Sequence, residues 1–298
     1  MRDVRLLREA LPYLRRYRRQ IIVIKMGGEL AAEPSALTAL AEDVSLLTHV
    51  NIRVVVIHGG GPQATQMAER LGLEARMVQG RRVTDEQTLN IAKMVFAGSI
   101  NVDILSALRL AGVRSVGLSG VDGDILHARQ RPPTAVRDAA TGATEMVDFG
   151  LVGDVTEVDV DLIHLLVNQG YVPVISSLAS DSEGRVLNVN ADTVAGVIAA
   201  RMGAHKLISL TSVPGILRDP KDPSSLLTRA TASEVQRLID DGTISGGMVP
   251  KVTTLLRAVR DGVEQAVIMS GLVESALLLE LFTDQGVGTL IDREPVSP

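Results

Sequence analysis

The residues best placed to do chemistry are a lysine and the glycines that follow it at the end of an apolar stretch. Residues 21–28 read IIVIKMGG: four apolar residues of buried-strand length, then Lys25, Met26, Gly27 and Gly28. The glycines let the backbone turn tightly and approach a ligand, and a lysine held at the C-terminal end of a strand in an open parallel sheet suits a phosphate. A second junction follows at His58, where Gly59, Gly60 and Gly61 leave backbone N–H groups free to face an anion at the start of a helix. A third glycine loop, SGGMVPK at 245–251, puts Lys251 in the first turn of a helix, where the dipole disfavours a cation unless an anion is bound. Arg81 and Arg82, adjacent before another helix, carry guanidinium forks that can clamp a carboxylate. Each has a plainer reading: a strand-capping lysine, a tolerated surface lysine, a solvated arginine pair.

Other chemistries fail on their motifs. An HGGG run serves as an oxyanion loop in esterases, but the GxSxG elbow it needs is missing, and the nearest stretch, 117–121, ends in valine. The dinucleotide fingerprint GxGxxG is absent. SGVDGD at 119–124 reads as a turn, since it lacks the twelve-residue calcium loop. With no cysteine, disulfides, thiolate metal sites and cysteine nucleophiles are excluded. The net charge of −5 argues against general nucleic-acid binding. No apolar run approaches the roughly 20 residues of a membrane span and no signal-peptide pattern appears, so no membrane role is expected and a cytoplasmic location is.

The elements that must position these residues alternate. A core of 46% hydrophobic but only 2% aromatic residues has to be aliphatic. Residues 1–20 carry Val4, Leu7, Leu11 and Leu14 at helical spacing among arginines, an amphipathic docking helix that Pro12 should kink or restart. Helix is expected over 35–47, 63–71, 85–110, 161–168, 191–202, 233–240, from Lys251 to 263, and over 274–282. Strand is expected over 21–24, 51–57, 115–118, 172–176, 206–210 and 266–269, the last strand and the 274–282 helix completing the sheet. Thr84 with Gln87, and Thr231 with Glu234, have capping-box spacing. Residues 149–155 read as half of a hairpin covering the site, and 180–184 as a boundary between lobes.

In this order and spacing IKMGG, HGGGPQ, GRRVTD, NVNAD, LTSVPGI and SGGMVPK resemble the amino-acid kinase superfamily, and most closely its acetylglutamate kinases. The resemblance runs from about residue 21 to the end. It implies an α/β fold, a three-layer sandwich around a mainly parallel open sheet. Residues 1–20 would be an oligomerisation helix, 21–180 an acetylglutamate-binding and dimerisation lobe, and 181–298 a nucleotide-binding lobe. It implies phosphoryl transfer from ATP, with Mg²⁺, to the side-chain carboxylate of N-acetyl-L-glutamate. Lys25 and Lys251 match the lysines that stabilise the transferring group, and Asp192 the aspartate that holds them both. Gly27, Gly28 and Gly59 match phosphate contacts, and Gly60, Gly61, Arg82 and Asn188 acetylglutamate contacts. Thr211 and Ser212 match the nucleotide loop, although many relatives carry aspartate where Ser212 stands. The N-terminal helix and the ELFTDQGVGT ending look like the arginine-inhibited, homohexameric branch, which implies L-arginine at Tyr13, Glu280 and Gly286 and a possible PII signalling partner. The rivals are a kinase of a carrier-linked aminoadipate or glutamate, and a catalytically silent arginine sensor.

Overall fold

The computed structural model describes residues 2–292 except 75, 79–80, 138–143, 220 and 285. Gly80 of the expected GRRVTD loop lies outside the described residues, as do the side chains of Val4, Leu7 and Arg81. One eight-stranded sheet organises the chain. From edge to edge its strands are Arg229–Thr231, Thr289–Asp292, Gln265–Ser270, Lys206–Thr211, Ile21–Met26, Arg53–His58, Val172–Ser176 and Ser115–Ser119. The last six run parallel, while Thr289–Asp292 is antiparallel to Gln265–Ser270 and carries Arg229–Thr231 with it. The expected 266–269 strand and 274–282 helix therefore do not complete the sheet, because Thr289–Asp292 returns to add to it.

Ile21–Met26 is buried along its whole length, and its alternation divides the core. Ile21 and Val23 face a cluster with the helices Asp161–Asn168, Ala191–Arg201 and Met248–Arg260, whereas Ile22, Ile24 and Met26 face Pro34–His49, Glu86–Leu110 and Ala276–Phe282. A sheet buried on both faces is why its strands read as apolar runs instead of alternating ones. The result is the expected three-layer α/β/α arrangement. A smaller sheet orders Val186–Asn188, Leu178–Ser180, Leu126–Gln130 and Gly153–Val158. The expected 149–155 hairpin half begins here as Gly153–Val158 against Leu126–Gln130, and of residues 180–184 the first ends the strand Leu178–Ser180 while the others form the turn into Val186–Asn188.

Three local expectations change. Arg2–Tyr17 runs as one helix through Pro12. Its anchor is Tyr17, which is buried edge-on against His205 and Phe282, whereas Leu11 of the expected seam is 42% exposed. Thr84 does not cap the next helix. Its backbone is held extended against Phe149 and Leu151, so the cap passes to Asp85, which accepts from the Thr88 N–H at 2.8 Å. The helix Glu86–Leu110 is long and apolar enough to cross a membrane by length and composition. Here Leu89, Phe96, Ile100, Ile104 and Leu108 are buried in the core instead.

One buried carboxylate gives a test of the packing. Asp43, in Pro34–His49, accepts the Leu277 N–H at 3.0 Å and so caps Ala276–Phe282 from 234 residues away. Burial, more than the nearby Glu42 charge, raises its pKa to about 6 while the backbone N–H groups oppose the rise. The folded chain thus holds this proton more tightly than the unfolded one. The group's contribution is fully present below about pH 4 and lost as pH rises through about 6. Asp43→Asn keeps an acceptor oxygen and cannot ionise. It is expected to flatten this part of the pH–stability curve and to gain on the order of 1 kcal/mol at pH 7, allowing for solvent screening. Urea unfolding between about pH 4 and 8 checks it, and parallel curves for the two proteins would contradict it.

Candidate active site

The site lies where the parallel strands end, at the Ile21–Met26 strand, from which the chain continues on either side into Arg53–His58 and Lys206–Thr211. Ligands collect at such a point because loops diverge to opposite sides of the sheet. Lys25 is 6% exposed, and its Nζ lies 2.7 Å from Asp192 Oδ1. Asp192 is placed there by a cap: the Asn190 side chain accepts from the Asp192 and Thr193 N–H groups at 2.8 and 3.1 Å, starting Ala191–Arg201. An acid in that first turn is also favoured by the helix dipole.

The glycine loops meet beside this pair. A Cβ on Gly28 would lie 3.3 Å from Gly60 Cα and 2.9 Å from Pro62 Cδ, and one on Gly27 would lie 4.0 Å from Lys25 Nζ. A Cβ on Gly59 would come within 3.2 Å of Ala191, and one on Gly60 within 2.3 Å of Ile100, whereas Gly61 faces open space. A side chain at 28 would push the two loops apart and one at 60 would strike the helix carrying Phe96 and Ile100, so glycine fits sterically at both. Gln63, which the motif reading left without a role, ties them together by donating to the Gly28 carbonyl at 2.6 Å. Its Oε1 is buried without a partner, and the HGGGPQ spacing was the signal that could have singled it out. The helix begins at Gly61, two residues earlier than expected, so Gly60 is its cap residue.

Arg82 reaches the same loop from the far side. Its Nη2 donates to the Gly61 carbonyl at 2.8 Å and to Thr65 Oγ1, while Nη1 is buried with no partner. Burial lowers its pKa, and among the described residues no carboxylate pairs with it. Asn188 stands nearby through Thr84, to whose Oγ1 it donates at 3.2 Å.

On the other flank, Gly27 N–H donates to the Leu210 carbonyl, and Ser212 Oγ donates to Glu29 Oε2 at 2.7 Å, joining the Thr211 loop to the first glycine loop. The Thr211 hydroxyl turns back onto Val213. Lys251 sits in the first turn of Met248–Arg260, half-buried, and makes no ion pair among the described residues. Asp192 therefore pairs with Lys25 but not with Lys251, so the expected bridge between the two lysines is half formed. No group of three His, Asp or Glu side chains among the described residues could hold a metal ion. A magnesium ion would come with the nucleotide phosphates, the usual way this hard, reluctantly dehydrated cation is bound.

Tyr13, Glu280 and Gly286 lie apart from this centre, at the N-terminal helix. Glu280 Oε1 pairs with Lys206 Nζ at 3.1 Å, both groups being buried, and its Oε2 accepts the Val287 N–H beside Gly286. The expected guanidinium partner of Glu280 thus finds an internal lysine already there. Tyr13 donates its hydroxyl proton to Asp284.

A mainly parallel open sheet with two abutting glycine loops, a buried lysine–aspartate pair and an arginine without an ion-pair partner among the described residues is the framework of an α/β kinase. The chain belongs to the amino acid kinase family, whose model matches residues 20–270. Within that family it is 46% identical to an acetylglutamate kinase of Methanothermobacter thermautotrophicus, over 98% of this chain and 99% of that one. It is 45% identical to an acetylglutamate kinase of Novosphingobium aromaticivorans, over 96% and 94%. Among solved structures, an N-acetylglutamate synthase of Neisseria gonorrhoeae complexed with coenzyme A and N-acetyl-glutamate aligns with a TM-score of 0.83 at 29% identity. The alignment takes in 98% of this chain but only 64% of the synthase, so the chain spans about two-thirds of that protein's length. A carbamate kinase of Giardia lamblia, 17% identical over 92% of this chain and 99% of its own with a TM-score of 0.67, shares the fold.

Proposed function

We propose that this chain is an acetylglutamate kinase that transfers the γ-phosphoryl group of ATP to the side-chain carboxylate of N-acetyl-L-glutamate in arginine biosynthesis. The observation that carries the reading is Arg82: a half-buried guanidinium, fixed to the glycine loop by Nη2, whose buried Nη1 lacks a partner. Such a donor needs a ligand acceptor, and the α-carboxylate of an amino-acid substrate supplies it. The nucleophile is then the distal carboxylate. It is ionised at neutral pH, so no general base is required, and none is needed from the histidines. What remains is to bring two anions together, which is positioning and charge stabilisation. Lys25, steadied by Asp192, and the loop amides of Gly27, Gly28 and Gly59 face the transferring group. Gly60, Gly61 and Asn188 line the acceptor side. Lys251 and the Thr211–Ser212 loop serve the nucleotide, which carries Mg²⁺ as part of the substrate. The lobes of this reading are 21–180 for the acceptor and 181–298 for the nucleotide, in a cytoplasmic enzyme.

ADP release with N-acetyl-L-glutamate, L-glutamate and a carrier-linked glutamate tests the assignment. Turnover only with the acetylated amino acid is expected. Turnover only with the carrier-linked acceptor would move the chain to its rival, and none with any acceptor would leave a silent sensor.

The regulatory part of the reading is feedback inhibition by L-arginine at Tyr13, Glu280 and Gly286 in a homohexamer, with a PII protein as a further partner. Leu11, 42% exposed on a helix whose described anchors are Tyr13 and Tyr17, supports an assembly role. A second solved N-acetylglutamate synthase of N. gonorrhoeae, 27% identical with a TM-score of 0.79, is complexed with L-arginine. Deleting residues 1–19 is expected to abolish arginine inhibition and to reduce the assembly to dimers. Activity with graded arginine and light scattering check both, and a truncated hexamer that stays fully sensitive would contradict them.

A further inference from the structure

The glycine loop that holds the acceptor is itself held by two buried side chains. His58, the last residue of its strand, is fully buried, with Nδ1 3.0 Å from the Gly59 carbonyl and Nε2 3.1 Å from Asn101 Nδ2. The same Nδ2 also lies 3.0 Å from the Val174 carbonyl oxygen and 3.3 Å from that of Leu118, so its two hydrogens are shared among three acceptors. Those carbonyls fix the orientation of the amide, because reversing it would set oxygen against oxygen. An amide nitrogen cannot accept, so the Nε2 that faces it is the bare nitrogen, and the ring proton sits on Nδ1, where the Gly59 carbonyl accepts it. The tautomer is determined independently from both ends.

We propose that His58 and Asn101 are positioning residues for the acceptor loop, a hydrogen-bonded pair that aims the Gly60 N–H into the site. In a trans peptide the carbonyl and the next N–H point in opposite directions. Pinning the Gly59 carbonyl inward onto His58 turns the Gly60 N–H outward, and no group among the described residues accepts it. The seat is built by the helix beneath. Residues Lys93–Ile100 form a π-helical stretch within Glu86–Leu110, and the wider turn lets consecutive Ile100 and Asn101 both face the sheet. A Cβ at Gly60 would strike Ile100 and Phe96, and one at Gly117 would lie 2.1 Å from Asn101 Oδ1. Gly117 is thus the space Asn101 occupies. Protonating His58 would set a second donor against Asn101, and burial pushes its pKa down to about 4. The loop's aim is accordingly insensitive to pH across the neutral range.

The kinetic half of the test rests on the acetylglutamate kinase reading, and the spectroscopic half does not. Imidazole ¹⁵N spectra of the full chain labelled at histidine, with His58 assigned by its loss in His58→Asn, are expected to show a proton on Nδ1 and a bare Nε2, unchanged between about pH 5 and 9. A proton on Nε2, or titration near the ordinary histidine value of about 6.5, would overturn the pair whatever the enzyme's substrate. Asn101→Leu removes the donor at similar volume. It is expected to raise KM for N-acetyl-L-glutamate about tenfold while KM for ATP stays within about twofold. An equal rise for both substrates, or no rise for either, would overturn the positioning role. Retention of a native circular dichroism spectrum in the variant, at whatever Tm, keeps that comparison valid.

Discussion

Replacing Lys25 by alanine is expected to lower kcat by on the order of 10²-fold or more, by analogy with the loss of a single donor to a developing oxyanion. The ammonium sits 2.7 Å from Asp192 at the mouth of two abutting glycine loops, and a Cβ on Gly27 would lie 4.0 Å from it, so it faces whatever those loops bind. Its charge is of most use when the phosphoryl group is in flight, which is why the loss should appear in kcat more than in KM for the acceptor. The deletion also strands Asp192, and an uncompensated, mostly buried carboxylate destabilises the fold. Lys25→Met combined with Asp192→Asn removes both charges at similar volume and separates the two effects. The double variant should recover stability without recovering kcat. An unchanged kcat in Lys25→Ala would sink the assignment.

Lys251→Ala is expected to cost a similar factor in kcat, on the order of 10²-fold or more, with the opposite consequence for the fold. Lys251 lies in the first turn of Met248–Arg260 and has no ion-pair partner among the described residues. A cation there opposes the helix dipole, so its removal should stabilise the chain by roughly 0.3–1 kcal/mol. A residue that destabilises its own helix and is silent in the folded chain is accounted for by a bound anion. Thermal unfolding and steady-state kinetics on the same preparation check the pair of signs. An unchanged kcat, or a loss of stability without nucleotide present, would contradict the role.

Much of the site was legible because it depends on local chemistry. The apolar run ending at Lys25, the glycines after His58, and the Thr231–Glu234 capping box are set by neighbouring residues, and the last is fully formed, with Thr231 N–H donating to Glu234 at 2.7 Å. What escaped is fixed by partners far along the chain. Arg229–Thr231 and Thr289–Asp292 are strands of three and four residues whose pairing is decided by the sheet edge they join, not by their own pattern. Thr84 has good capping chemistry, but its backbone is claimed by residues 149–151, and the cap moved one residue to Asp85. The resemblance sets Asp192 between two lysines, and among the described residues it pairs with Lys25 alone, since its position is fixed by the Asn190 cap whereas Lys251 rides on a different helix. The π-helical turn under Gly60 has no sequence signature of its own, because it answers to the loop it supports. Leu11 shows the converse: helical spacing identified the helix correctly but not which of its residues the chain itself buries.

The bond that this chain forms decides its function and can be identified chemically. The chain would be incubated with ATP, Mg²⁺, N-acetyl-L-glutamate and hydroxylamine, and the product isolated and fragmented in a mass spectrometer. The expected result is the hydroxamate at the side-chain carboxyl of N-acetyl-L-glutamate, formed with one ADP for each acceptor consumed and lost in Lys25→Ala. ADP release without any hydroxamate, or a hydroxamate at the α-carboxyl that Arg82 is proposed to hold, would contradict the account.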